Sequence, residues 1–199
     1  MVITKRDTIL HVTLHPGEYY VSAGEVVIST LLGSCVSACL YDPYRRVVGM
    51  NHFLLSSRRY AKQMPLCITD AGRYGIQAME LVINGMLQKG ANRAHLKAKA
   101  FGGSSLFRAH DDEKNFSCVG EVNTRFIREF LRNDGIPLVA EDLGGDRGRT
   151  IRFASADYSV TVAKARRLDG ATLLKKERRY WQKTVESSEQ TAAEPDLWI

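Results

Sequence analysis

No Cys-x-x-Cys pair occurs anywhere in the 199 residues, and the four cysteines, Cys35, Cys39, Cys67 and Cys118, are irregularly spaced. This spacing excludes the usual structural zinc frameworks and, without an export signal, gives no reason to expect disulfides. Each cysteine therefore begins as a small buried hydrophobe, and only its neighbours can argue for more. No apolar stretch approaches the roughly 18–20 residues that span a bilayer. The opening residues, Met1 to Asp7, lack the uninterrupted apolar run of a secretory signal, and Pro16-Gly17 soon follows. The chain is expected to be soluble and cytoplasmic. His11 and His15 stand at H-x-x-x-H spacing without the glutamate of a metal helix or any accompanying ligand cluster, so no metal site and no cofactor are expected. Internal repeats are absent too.

Charge of one sign is scarce except near the end. The formal net charge is +6, yet Lys164 to Lys183 holds eight basic residues against Asp169 and Glu177, and Glu186, Glu189, Glu194 and Asp196 follow. A tail of alternating sign is not a basic face with interleaved aromatics, which argues against nucleic acid as a partner. The length and the 44% hydrophobic content suit one well-buried core over residues 1–165. Residues 166–199 have too little apolar surface to offset ordering entropy, and a short helix or partly disordered tail is expected there.

What is present is a change of period along the chain. Tyr19 to Leu55 reads as strands: Val26-Val27-Ile28 is β-branched, and Cys35–Tyr41 and Val47–Leu55 are apolar on both faces, as in strands buried on both sides. Asp42-Pro43-Tyr44-Arg45-Arg46 makes the turn of a hairpin between the last two runs. Ile76, Met79, Val82, Ile83, Met86 and Leu87 then follow helical spacing, with Thr69 or Asp70 as cap and Gly90 as stop. Val122, Phe126, Phe130 and Leu131 predict a second helix ending at Asp134-Gly135, before Pro137. His95–Phe101 between the helices, Leu138–Glu141 after them, and a hairpin from Thr150 to Ala165 complete an α+β domain. The expected architecture is a layered mixed β-sheet or sandwich with two main helices packed on one side.

The chemistry concentrates at Gly33-Ser34-Cys35. A glycine and a small serine before a cysteine, between two strands, describe a tight turn that holds a thiol at a sheet edge and turns backbone N–H groups toward an oxyanion. The hairpin across Pro43 brings His52 toward that turn, and an imidazole there can take the thiol proton and later protonate a leaving amine. The bland reading stands beside it: a strand histidine is commonly a hydrogen-bonded structural residue, and Gly-Ser-Cys alone is a weak motif. Spacing leaves both open.

The run from Ser29 to Pro43, STLLGSCVSACLYDP, followed by Gly49-Met50-Asn51-His52-Phe53-Leu54-Leu55, closely resembles the CheD family of chemoreceptor glutamine deamidases. Arg73-Tyr74, Phe101-Gly102-Gly103-Ser104 with Phe107, and Glu141-Asp142-Leu143-Gly144-Gly145 with Gly148-Arg149 appear in the family's order, so the resemblance covers roughly Leu10 to Lys164. It implies the family's fold and an enzyme that hydrolyses glutamine side chains of methyl-accepting chemotaxis receptors to glutamate and ammonia. The nucleophile and histidine of the family fall on Cys35 and His52. The family's orienting threonine falls, by spacing, on Ser29, with Thr30 as the fallback; alternation along a strand allows only one of them to face the histidine. Thr30, Gly33 and Ser34, with Gly102 and Gly103, are expected to line the substrate site. The resemblance also implies receptors as partners and, in some members, a CheC-type phosphatase.

Most of the glycines in Gly102-Gly103 and Gly144-Gly145 are read as turn residues needing positive φ or a close backbone approach. Cys39 is read as packing, and Cys67 and Cys118 have no functional context. Two competitors are weighed. A papain-like peptidase is disfavoured because the histidine follows the cysteine by only 17 residues. A non-catalytic adaptor that binds receptors or a CheC-type phosphatase would have no need of both Cys35 and His52.

Overall fold

The computed structural model describes residues 1–55, 70–105 and 119–165, together with Arg179. Among the described residues, ten strands and two α-helices run β1 (Val2–Arg6), β2 (Ile9–Thr13), β3 (Tyr19–Ser22), β4 (Val26–Leu32), β5 (Val36–Asp42), β6 (Val47–Asn51), α1 (Asp70–Gln88), β7 (Lys97–Gly102), α2 (Val119–Asn133), β8 (Leu138–Leu143), β9 (Arg149–Ala154) and β10 (Val160–Lys164). Two five-stranded sheets form, in the orders β1-β2-β4-β9-β10 and β3-β6-β5-β7-β8. Both are mixed: β2 with β4 and β7 with β8 are parallel, and the other pairs are antiparallel. The expected α+β sandwich with both helices on one side is what the chain adopts.

The double-faced runs explain the layering. Along β5, Val36, Ala38 and Leu40 enter the core shared with the helices, while Cys35 (just before the strand) and Cys39 enter the core between the sheets. Along β6, Val47 faces the helices and Val48 and Met50 face the first sheet. The second sheet is thus the middle layer, buried on both faces. Helix α1 lays Met79, Val82, Ile83 and Met86 into the outer core, and α2 lays Val122, Phe126, Ile127 and Leu131 there. Phe126 meets Phe53 edge-on with ring centroids 5.7 Å apart, a preferred aromatic geometry. The turn after α1 is the predicted one: Gly90, at φ 93°, donates to the Leu87 carbonyl, and Ala91 donates to that of Met86.

Sequence reading missed the β1–β2 hairpin. Every residue of β1 is exposed, so no apolar alternation marks it, and among the described residues its one sheet neighbour is β2. No described helix is long and apolar enough to cross a membrane. The tail expected over residues 166–199 lies, Arg179 excepted, outside the described residues. So do Cys67, Cys118 and Phe107.

Candidate functional site

The Cys35 turn is held by all three of its carbonyls. Gly33 O accepts from Ser104 N–H at 2.8 Å, Cys35 O from Gly103 N–H at 2.8 Å, and Ser34 O from the Asn123 side-chain amide at 2.7 Å. Gly102 and Gly103 permit this strapping. A Cβ at Gly102 would stand 2.2 Å from Cys35 O, and both glycines adopt positive φ, 111° and 68°. Gly102 is also the register partner of Val36. Gly102 and Gly103, expected to line the substrate site, are therefore in contact with the Cys35 turn. Gly144-Gly145, likewise at positive φ, closes over the same strap: Gly144 N–H donates to Gly102 O and Ser105 N–H to Gly145 O.

A buried guanidinium organises this corner. Arg149, only 1% exposed, sits opposite Leu32 at the end of β4, where the turn begins. It donates to Ser104 Oγ at 3.0 Å, to the Asp142 carboxylate at 2.7 Å, and to the carbonyls of Asp142 and Gly144. Sequence analysis noted Gly148-Arg149 as a motif but assigned the arginine no task.

His52 lies across the sheet from the turn. Val36 and Phe53 exchange both backbone hydrogen bonds, at 3.0 and 2.9 Å. Ser37 is then the cross-strand neighbour of His52, and Cys35 its diagonal neighbour on the same face. Diagonal neighbours lie about 7–8 Å apart, within reach of a ring. The His52 backbone is fixed from the other side, its N–H donating to Glu18 O and its carbonyl accepting from Gly17 N–H. Asn51 locks the strand onto α1. Its Oδ1 accepts from Ala38 N–H at 2.9 Å and its Nδ2 donates to Ala78 O at 3.1 Å.

The imidazole itself is oriented by Thr30. Thr30 Oγ1 is 2.7 Å from His52 Nδ1 and donates its single proton to Leu14 O at 2.9 Å. The hydroxyl must therefore accept from Nδ1–H, which leaves the lone pair on Nε2. That Nε2 is buried and has no hydrogen-bond partner among the described residues. Burial, with the charge of His15 as the lesser cause, pushes the His52 pKa down to about 3. The ring is a neutral base near pH 7.

The assignment of the orienting hydroxyl to Ser29 is overturned. Burial along β4 alternates, with Val26, Ile28, Thr30 and Leu32 inward and Val27, Ser29 and Leu31 only half-buried. Ser29 Oγ lies 3.2 Å from Thr13 Oγ1 and donates to Val12 O, on the other face. Thr30, expected among the substrate contacts, has its hydroxyl committed to Leu14 and His52 instead. Cys35, His52, Thr30, Gly33, Ser34, Gly102 and Gly103 are thus brought together, and Ser29 is not. Cys39 is packing, as expected, and burial pushes its thiol up to about 12. Sequence reasoning missed Asn123, which no local motif marks.

Among the described residues no group of three His, Cys, Asp or Glu side chains is placed to hold a metal ion. The arrangement offers a thiol, a neutral imidazole with an open Nε2, and rigid backbone around both.

Comparison with known proteins follows the same direction. The family model described as CheD chemotactic sensory transduction matches residues 56–164. The chain is 52% identical to the probable chemoreceptor glutamine deamidase CheD 1 of Geobacter sulfurreducens, over 94% of each chain. It is 42% identical to the probable chemoreceptor glutamine deamidase CheD 2 of Shewanella oneidensis, again over 94% of each. With a Thiobacillus denitrificans protein, also named probable chemoreceptor glutamine deamidase CheD, it shares 40% identity over 92% of this chain and 87% of the other. A match of 94% exceeds the core of 165 residues, so the likeness runs past Lys164 into the charged tail, further than the motifs had marked. The matched segment and these long alignments, the latter spanning both Cys35 and His52, show that the chain belongs to the CheD family.

Proposed function

We propose that this protein deamidates glutamine side chains of methyl-accepting chemotaxis receptors, in the cytoplasm, through a thioester on Cys35. The observation that carries the proposal is the His52 ring: Thr30 fixes its tautomer, and its open Nε2 lies on the face that also bears Cys35. The names of the relatives supply the substrate class.

The steps balance without a cofactor. The Cys35 thiol proton passes to His52 Nε2, and the thiolate attacks the glutamine Cδ. The carboxamide oxygen becomes an oxyanion. The Gly33 and Ser34 carbonyls are held by Ser104 and Asn123, and peptide planarity turns the N–H groups of Ser34 and Cys35 to the opposite side of the turn. The His52 imidazolium then gives its proton to the departing nitrogen, and ammonia leaves. Water, deprotonated by the same Nε2, attacks the thioester carbonyl, and glutamate and the Cys35 thiol are regenerated. Thr30 accepts from Nδ1–H throughout and so steadies the ring in both protonation states. Both Cys35 and His52 are closed to solvent here, 0% and 2% exposed, so catalysis requires an opening that admits a narrow, unbranched side chain.

The test is incubation with a receptor cytoplasmic domain, following ammonia and the gain of one mass unit at individual glutamines. Activity in wild type that is lost in Cys35→Ala supports the reading. Full activity in Cys35→Ala sinks the thioester. Receptor binding without any mass change in wild type would favour the adaptor.

A further inference from the structure

We infer that Asn123 is a positioning residue that sets the distance between the nucleophile turn and the histidine strand; the inference rests on the deamidase reading above. Its side chain is fully buried on α2. One end of the amide donates to Ser34 O at 2.7 Å, one residue before Cys35. The other accepts from Leu55 N–H at 2.8 Å, three residues after His52. A single side chain thus bridges the two segments that carry the reacting pair, at a point where β5 meets the chain just after β6 through the isolated Val36–Phe53 bridge. The helix that carries it has little freedom. A Cβ on Gly120 would lie 2.6 Å from Gly103 O and 2.7 Å from Ser104 O, so α2 rests backbone to backbone on the strap behind Cys35. One turn further along, Phe126 packs on Phe53, next to His52.

The chemistry of the bridge requires a primary amide of this length. It needs a donor toward a carbonyl and an acceptor toward an N–H at the same point. An aspartate keeps the acceptor, loses the donor, and sets a carboxylate oxygen against Ser34 O. Shortening to alanine removes both bonds and lets the turn and the strand drift independently. A misplacement of about 1 Å between reacting groups costs on the order of 10²-fold in rate.

The experiment compares wild type, Asn123→Asp, Asn123→Ala and Cys35→Ala, each below its melting temperature. Two readouts are taken: kcat and KM for receptor deamidation, and the pH profile of Cys35 alkylation followed by peptide mass mapping. Expected for both Asn123 variants is a fall in kcat of about 10²-fold with KM little changed. The alkylation profile should move to higher pH, because His52 stabilises the thiolate less well. Wild-type kcat and an unshifted profile in the folded variants would overturn the inference. The alkylation profile needs no substrate, so it decides the role of Asn123 even where equal ammonia release by wild type and Cys35→Ala has removed the deamidase reading. If neither variant folds, amide exchange in the wild-type protein decides. Slow exchange of the Asn123 side-chain protons supports the bridge, and exchange at the rate of an exposed amide refutes it.

Discussion

The two ends of the β5–β6 hairpin both bury polar groups and treat them in opposite ways. At the closed end, Asp42 is fully buried and its carboxylate is satisfied: Oδ1 accepts from Tyr44 and Arg45 N–H at 2.9 and 3.0 Å, and Oδ2 from Asn92 N–H at 2.8 Å. At the open end, the buried His52 Nε2 has no hydrogen-bond partner among the described residues. An unsatisfied buried polar group costs about 1–3 kcal/mol. A fold that satisfies three acceptor sites at one end does not lack the means to satisfy one nitrogen at the other. The closed end holds the chain in a turn, and under the proposed mechanism the open end holds capacity in reserve for a reacting partner.

The largest effect should come from the open end. Cys35→Ala is expected to abolish both ammonia release and the mass gain on receptor glutamines while the melting curve stays cooperative. His52→Gln should lower kcat by about 10²–10⁴-fold, the range for loss of a general acid–base. A His52→Gln protein with wild-type kcat would equate the two ends of the hairpin and remove the basis for the comparison.

Next in size is the hydroxyl that orients the ring. Thr30→Val keeps the shape of the side chain but removes the acceptor for Nδ1–H, and kcat should fall by about tenfold to a hundredfold, somewhat below the loss of the base itself. Thr30→Ser should recover most of it, and Ser29→Ala should leave kcat unchanged. Steady-state rates on one receptor domain separate the three, and a larger loss in Ser29→Ala than in Thr30→Val would reverse the assignment made from the geometry.

That pair also marks how far the sequence can be read. The hairpin, both helices and the double-faced burial of β5 and β6 were legible because apolar period is a strong local signal. That Cys35 and His52 would lie on neighbouring segments was legible from the turn at Pro43. The choice between Ser29 and Thr30 was not legible, because β4 carries apolar residues on both faces, Val26, Ile28 and Leu32 on one and Val27 and Leu31 on the other. No alternation marks which face is inward when both are apolar. Asn123 and Arg149 were illegible for a different reason. The partners of Asn123, Ser34 and Leu55, lie far away in sequence, as does Ser104 among those of Arg149, and no local pattern encodes such a bridge, although Arg149 also bonds nearby Asp142 and Gly144.

The closed end can be broken without touching the chemistry. Asp42→Asn replaces one carboxylate oxygen by an NH₂ that faces a backbone N–H, so stability should fall by about 1–3 kcal/mol in urea unfolding while kcat is unchanged. The cost should be largest near neutral pH. Burial raises the Asp42 pKa, but the hydrogen bonds from Asn92, Arg45 and Tyr44 and the charge of His95 outweigh it and leave it lowered. A lowered carboxylate contributes stability that is present above its unfolded pKa, near 3.8, and is lost as pH falls through the folded value.

The smallest expected effect tests the open end by thermodynamics alone. His52 has a folded pKa of about 3 against an unfolded value of 6.5. Between these the unfolded chain binds a proton that the folded chain refuses. Stability therefore rises with pH across this window and falls as pH drops below 6.5. Between pH 7 and pH 5.5 the contribution is roughly 1 kcal/mol. Urea unfolding of wild type and His52→Gln at both pH values isolates it, since the other titrating groups are common to the two proteins. The wild-type protein should lose about 1 kcal/mol more than the variant on acidification. Equal losses would mean that His52 is charged in the folded protein at pH 5.5, so that its Nε2 carries a proton and cannot take one from Cys35.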